Sequence, residues 1–60
     1  MARSLIKIDR VAEKLVTTEP AVRWLRHTGA LPPAAKIGGR LLWDEAEIDQ
    51  YIEAAFAEAS

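Results

Sequence analysis

The basic residues of this chain are the side chains best suited to chemistry, and they are unevenly placed. Residues 1–43 hold all eight lysines and arginines but only three acids, a local charge of 8 − 3 = +5. Residues 44–60 hold six acids and no base, a local charge of −6. This division predicts a basic surface that binds a polyanion and a separate acidic surface. The acidic segment alone is better explained by a solvated helix.

Side chains for catalysis or metal binding are scarce. The 60 residues include one histidine and no cysteine, and no glycine-rich loop of the phosphate-binding type opens a helix. We therefore expect no enzymatic activity, cofactor, metal site or small-molecule substrate. No stretch approaches the roughly 20 apolar residues that span a bilayer, and no signal peptide is visible. The expectation is a cytoplasmic protein with no membrane partner.

The spacing of apolar residues predicts one small domain over residues 1–60. Residues 5–8 are apolar enough to pair as a strand or to pack against the first helix. Ile8 to Leu15 follow with the i, i+3, i+4, i+7 spacing of a helix, for which Asp9 is one candidate N-cap and a start two residues earlier is the alternative. Thr18 is predicted to cap a second helix that runs to about Thr28, with Gly29 left-handed after its end and Leu31 folding back.

A β-hairpin and a third helix are predicted to follow. Residues 35–37 and 40–43 flank Gly38 and Gly39, which suit a tight turn with positive φ at both positions. Asp44 is predicted to cap the last helix, whose apolar stripe of Ile48, Tyr51, Ile52, Ala55 and Phe56 should be buried. Trp43 is predicted to lie in the core. The fold class is therefore mainly α with a small β-hairpin, a winged helix-turn-helix with a two-stranded wing and a C-terminal helix.

The second helix presents a polar face to solvent. At 100° per residue, Arg23, Trp24 and His27 lie opposite the core side, and Arg26 lies at its margin. An outward tryptophan indicates either a contact with DNA or protein or packing against the wing. Lys36 and Arg40 flank the hairpin tip, so we expect this helix to enter the major groove of DNA and the wing to contact the backbone. A plain helical corner without DNA binding is the structural alternative.

Two motifs resemble a known family. The run Ala-Val-Arg-Trp-Leu-Arg-His-Thr-Gly-Ala-Leu at residues 21–31 resembles the MerR-superfamily pattern Thr-Ile-Arg-Tyr-Tyr followed by three variable residues, glycine and two apolar residues. The run Lys-Ile-Gly-Gly-Arg-Leu-Leu-Trp at residues 36–43, before an acid-capped helix, resembles the wing and last helix of phage excisionases and AlpA-like regulators. The likeness covers roughly residues 5–53. Two departures are Val16, where the turn often has glycine, and Leu42, at a wing position often basic.

The resemblance implies roles for individual residues. It places Arg23 and Trp24 near the DNA backbone and the first residues of the second helix near base edges. Together with the outward face and the wing, the complete set of predicted DNA contacts is Thr18, Glu19, Pro20, Ala21, Arg23, Trp24, Arg26, His27, Lys36 and Arg40.

The resemblance also implies a function. An excisionase-like protein binds double-stranded DNA cooperatively at adjacent sites in a bacterial host, bends it and directs a phage integrase towards prophage excision. The basic and acidic surfaces suggest head-to-tail self-association between neighbouring copies. A small transcriptional regulator that binds one promoter site is the alternative. A protein-interaction adaptor without DNA binding is a third interpretation, from a different class.

Overall fold

A computed structural model describes residues 3–59, which form a winged helix-turn-helix. Three helices and three short strands follow in the order β1 (Leu5–Ile6), α1 (Ile8–Leu15), α2 (Glu19–His27), β2 (Ala35–Ile37), β3 (Arg40–Asp44) and α3 (Glu45–Ala59). The strands form one antiparallel sheet in the order β1-β3-β2. The predicted fold class is confirmed, but the sheet has one strand more than the predicted two-stranded wing.

The additional strand comes from the apolar segment before α1. Leu5 lies opposite Asp44 and Ile6 opposite Trp43, and the Glu45 N–H donates to the Ser4 carbonyl at 2.8 Å. Of the two possibilities for residues 5–8, strand pairing is confirmed for Leu5 and Ile6, whereas Ile8 begins α1. This strand fixes the start of the chain against the base of the hairpin, directly before α1 begins.

The N-cap of α1 lies two residues before Asp9. Lys7 is its extended N-cap residue, and the Lys7 carbonyl accepts from the Val11 N–H at 3.1 Å. Asp9 lies within the first turn, where an acid is stabilised by the helix dipole, so its prediction as N-cap is wrong and the earlier start is confirmed. The reason is that β1 ends at Ile6, and the chain has only one residue in which to turn into the helix.

α1 and α2 end with the same backbone motif. Gly29, at φ +80°, donates to the Arg26 carbonyl, and the next N–H donates to the Leu25 carbonyl at 3.0 Å. Val16, at φ +55°, donates to the Glu13 carbonyl, and the Thr17 N–H donates to the Ala12 carbonyl at 2.9 Å. These are the paired bonds of a Schellman motif. The predicted role of Gly29 is confirmed, and α1 has a β-branched residue in the equivalent left-handed position.

Side-chain caps start the other two helices as predicted. The Thr18 hydroxyl accepts from the Ala21 N–H at 3.4 Å, and Pro20 lies in the first turn of α2, where its missing N–H costs no hydrogen bond. The Asp44 carboxylate accepts from the Ala46 N–H at 3.0 Å. Both helices therefore begin where the sequence places them.

The core lies where α1, α2 and α3 meet the sheet. Among residues 3–59, its buried members are Val11, Ala12, Val22, Leu31, Trp43 and Ile48. Trp43 joins the sheet to this cluster, which confirms its prediction as core. No helix within residues 3–59 is long and apolar enough to cross a membrane.

The predicted burial of the α3 stripe holds only for its first half. Ile48 is buried and Tyr51 and Ile52 are half-buried, but Ala55 is exposed and Phe56 is 68% exposed. The prediction that Phe56 belongs to the core is therefore wrong. With 15 residues α3 is about 22 Å long, whereas the eight residues of α1 extend only about 12 Å. The last turns of α3 extend past the elements that cover its beginning.

Ion pairs join α1 to α3. The Lys14 ammonium lies 2.6 Å from Asp49 and 3.2 Å from Glu45, and Arg10 lies 3.8 Å from Glu45. The hydrogen bonds that the Lys14 ammonium donates to Asp49 and Glu45 raise the pKa of Lys14 above its ordinary value. Arg3 pairs with Asp44 at 3.1 Å. Three bases of the positive segment are thus neutralised by acids of the negative one, which leaves a smaller free basic surface than the sequence suggests.

Candidate nucleic-acid interface

A cleft of about 700 Å³ lies between α2 and the β2–β3 hairpin. We call it the wing cleft. α2 forms one wall, the hairpin forms the other, and the junction of β1 with α1 also contributes to the lining. Its lining residues are Lys7, Ile8, Arg23, Arg26, His27, Lys36, Gly39, Arg40, Leu41 and Trp43.

The charge of the wing cleft is its distinctive property. Within residues 3–59, four lysines and arginines form no salt bridge, and all four line this cleft: Lys7, Arg26, Lys36 and Arg40. A fifth base, Arg23, lies 3.5 Å from Glu19 on the exposed surface of α2, where such a pair is weak. No acidic residue is among the lining residues. The cleft therefore concentrates the uncompensated positive charge of the described chain and is suited to a polyanion.

The helical spacing of three residues explains how α2 contributes to the lining of the cleft. Arg23, Arg26 and His27 follow at i, i+3 and i+4, a spacing that places side chains next to one another on a helix. The sequence placed Arg26 at the margin of the outward face. In the structure Arg26 lines the cleft on the side of α2 that lies next to the hairpin.

The hairpin supplies the opposite wall. Gly38 and Gly39 have φ of +60° and +79°, as predicted, and connect β2 to β3. In an antiparallel pair, residues opposite each other share a face of the sheet. Lys36 lies opposite Leu41, and both line the cleft, so the inner face of the wing combines a cation with an apolar side chain.

The predicted contact residues fall into two groups. Arg23, Arg26, His27, Lys36 and Arg40 come together around the wing cleft. Trp24 lies beside them, 65% exposed, with its ring centroid 6.1 Å from that of His27 at an interplanar angle of 34°. The outward orientation predicted for Trp24 is confirmed.

The other predicted residues lie at the opposite end of α2 and do not line the cleft. The Thr18 hydroxyl is occupied as the helix cap, and Glu19 is oriented towards Arg23. Pro20 and Ala21 complete this first turn, with Pro20 exposed and Ala21 half-buried. Their contacts with base edges stay a prediction.

Sequence reasoning missed five residues that line the cleft, and two of them, Lys7 and Trp43, bear on its chemistry. Lys7 looked like the polar member of an apolar segment, yet the pairing of β1 with β3 brings it to the cleft. Trp43 was predicted only as core, but it also contributes to the cleft surface. No local spacing signals either position, because both depend on strands that are distant in sequence.

The element order, the helical corner and the wing together define the class as a winged helix-turn-helix domain. A family model described as "Helix-turn-helix domain" matches residues 5–55. The chain belongs to this family, a DNA-binding domain family that includes excisionase-like and AlpA proteins. Comparisons with curated proteins and with solved structures gave no match.

Proposed function

We propose that this protein is an excisionase-like, architectural protein that binds double-stranded DNA through α2 and the wing cleft. The observation that carries the proposal is the position of the four bases without a salt bridge in residues 3–59, all of which line the wing cleft. A surface of this charge binds the phosphate backbone and orients the protein on the duplex. The family to which the chain belongs makes DNA the fitting polyanion.

The dimensions suit a groove-bound helix. With its side chains an α-helix such as α2 is about 10–12 Å in diameter, which fits a major groove about 12 Å wide, and the nine residues of α2 extend about 13 Å along its axis. With α2 in that groove, the wing cleft straddles a neighbouring strand of the backbone. Trp24 and His27 then form a tilted, exposed ring pair beside the phosphates, and Lys36 and Arg40 contact the phosphates from the wing.

Base readout through hydrogen bonds is limited in this arrangement. Among the first residues of α2, the Thr18 hydroxyl is used by the cap, Glu19 pairs with Arg23, and Pro20 and Ala21 have no side-chain hydrogen-bonding groups. We infer that sequence preference comes largely from DNA shape and deformability. Such readout suits a protein whose task is to bend DNA.

The proposal predicts a defined dependence on salt. Five bases line the cleft, so the logarithm of affinity should fall with the logarithm of salt concentration at a slope of about −4.5. Removing one cleft cation should reduce the slope by about 0.9 and weaken binding about eightfold at 0.1 M salt, since the release of one counterion equivalent is lost.

A matched pair of variants tests this charge assignment. Arg40→Gln removes a cleft cation, and Arg3→Gln removes the same charge from a residue paired with Asp44 outside the cleft. Fluorescence anisotropy with a labelled duplex at several salt concentrations should show the reduced slope for Arg40→Gln alone. Equal effects of the two substitutions would mean that binding follows net charge and not the cleft, and the proposal would fail.

We further propose that neighbouring copies associate head to tail on DNA. The outer face of the sheet carries an apolar patch formed by Leu5, Ala35, Ile37 and Leu42, because each of these lies on the face opposite Lys36 and Trp43. This patch ends at the basic hairpin tip. A second apolar surface, here called the α3 groove, is lined by Lys14, Leu15, Val16, Tyr51, Ile52, Ala55 and Phe56.

The two surfaces suit each other in charge as well as in polarity. α3 also carries Glu47, Glu53 and Glu58, none of which forms a salt bridge within residues 3–59. A contact between the sheet patch of one copy and the α3 groove of the next brings opposite charges together. It joins different surfaces, so it repeats along the DNA without closing.

In this proposal the assembly bends DNA and presents it to a phage integrase for prophage excision. Selection of binding sites from a random duplex pool, followed by footprinting, tests it. Direct repeats filled cooperatively about one helical turn apart would support the excisionase function. A single or inverted site would indicate a promoter-bound transcriptional regulator, and a lack of any enriched duplex would contradict DNA binding itself.

A further inference from the structure

The floor of the wing cleft differs chemically from its rim. The exposed bases form the rim, whereas Ile8, Leu41 and Trp43, all buried or half-buried, form the floor. Trp43 is 1% exposed. Its indole Nε1 is the single buried side-chain polar atom within residues 3–59 that lacks a hydrogen-bond partner. A buried indole N–H usually has an acceptor, so this donor indicates an acceptor that the protein itself does not provide.

The surrounding charge indicates which acceptor fits. The indole N–H only donates, and the bases that line the same cleft, among them Arg26, Lys36 and Arg40, select an anion. We propose that the wing cleft is a phosphate-binding site in which one phosphate oxygen accepts from the Trp43 indole N–H. The cleft bases neutralise the charge of the other oxygens. This inference rests on the proposed function, because a DNA phosphodiester is one source of the phosphate and a free phosphate or nucleotide is the other.

The burial of Nε1 implies that the wing cleft opens when the site is filled. The atom is covered in the free protein, so a phosphate oxygen reaches it only after the side chains that cover it move aside. Trp43 itself is held in β3 by its pairing with Ile6 of β1. The buried donor then gains its hydrogen bond only when the cleft is open and holds a phosphate, which couples opening of the cleft to DNA binding.

The indole N–H resonance of Trp43 provides a direct test. The ¹⁵N-labelled chain gives two indole signals, which the Trp24→Phe variant assigns. Separate titrations use a duplex, inorganic phosphate, deoxyadenosine monophosphate and sodium chloride at matched ionic strength. We expect the duplex to move the Trp43 signal downfield and to slow its hydrogen exchange, while sodium chloride does neither. The same shift with phosphate or the mononucleotide would identify a free anion as a second source, whereas a shift with the duplex alone would assign the site to backbone phosphate.

Two outcomes would overturn the inference in distinguishable ways. An unmoved indole signal while the backbone amides of Lys36 and Arg40 shift with duplex would refute the Trp43 contact and leave DNA binding intact. No shift anywhere with duplex would refute the proposed function as well. Trp43→Phe should lower duplex affinity about tenfold, the expected effect of losing a charge-assisted hydrogen bond. The indole measurement decides the question if this variant fails to fold.

Discussion

Replacing Val16 with glycine should stabilise the protein. Val16 is held at φ +55° and ψ +51°, and its N–H and the next one form the hydrogen bonds that end α1. β-branched residues rarely adopt this conformation. The side chain is 91% exposed, so removing it loses little buried apolar surface. The position therefore carries backbone strain with almost no compensating packing from its own side chain.

The expected gain follows from two opposing terms. A left-handed L-residue costs about 1–2 kcal/mol, and the greater freedom of glycine in the unfolded chain offsets about 0.5–1 kcal/mol of that strain. The net stabilisation is about 0.5–1 kcal/mol, which for a domain of this size raises the Tm by about 2–8 °C. Thermal unfolding followed by far-ultraviolet circular dichroism, at matched protein concentration, measures it.

Two further variants at this position separate strain from other effects. Val16→Asn should also raise the Tm, because asparagine adopts the left-handed conformation more readily than valine does. Val16→Ala retains a Cβ at positive φ and should give a smaller gain. An unchanged or lower Tm for Val16→Gly would refute the strain argument and mean that the valine side chain contributes more through the α3 groove than its exposure indicates. Duplex affinity of a single copy should not change, since Val16 does not line the wing cleft.

Three further predictions concern the helix ends and the α1–α3 ion pairs. Gly29→Ala is the reverse change in the equivalent motif at the end of α2, and it should destabilise the protein by about 1 kcal/mol in urea unfolding. The added Cβ meets no atom within 4 Å, so the cost comes only from the left-handed backbone conformation. An unaltered unfolding midpoint would contradict this. Thr18→Ala should lower the free energy of unfolding by about 1 kcal/mol because the N-cap hydrogen bond is lost. Thr18→Ser should retain most of the stabilisation that the cap provides. The raised pKa of Lys14 means that its stabilising contribution is complete below its unfolded pKa and is lost as the pH rises through the folded value. Lys14→Arg stays charged there, so its Tm should fall less than that of the native chain as the pH rises past the ordinary lysine pKa of about 10.4, and parallel curves would refute this contribution.

The exposed apolar residues at the end of α3 and the exposed Val16 belong to one surface. Phe56 and Val16 both line the α3 groove, and both are largely exposed in the single copy. If neighbouring copies cover this groove on DNA, substitutions here should reduce cooperativity without changing the affinity of an isolated site. The strain at Val16 would then be retained because an apolar side chain is useful at this point of the surface.

Local chemistry made much of this fold predictable. The Thr18 and Asp44 caps, the left-handed Gly29 and the Gly38–Gly39 turn each depend on hydrogen bonds or φ angles within a few residues, so the residue types specify them directly. The outward face of α2 follows from helical periodicity alone. The order of helices and hairpin, and with it the winged helix-turn-helix class, could therefore be predicted from the sequence.

The tertiary structure decided the features that depend on distant parts of the chain. Pairing of β1 with β3 made the third strand and brought Lys7 to the wing cleft. The Lys14–Asp49 contact joins residues 35 apart in sequence and removes charge from the basic surface. Phe56 continues the apolar periodicity of α3, yet it is exposed because the helix extends beyond its neighbours. Periodicity determines which side chains share a face, but the lengths and packing of the other elements determine whether that face is covered.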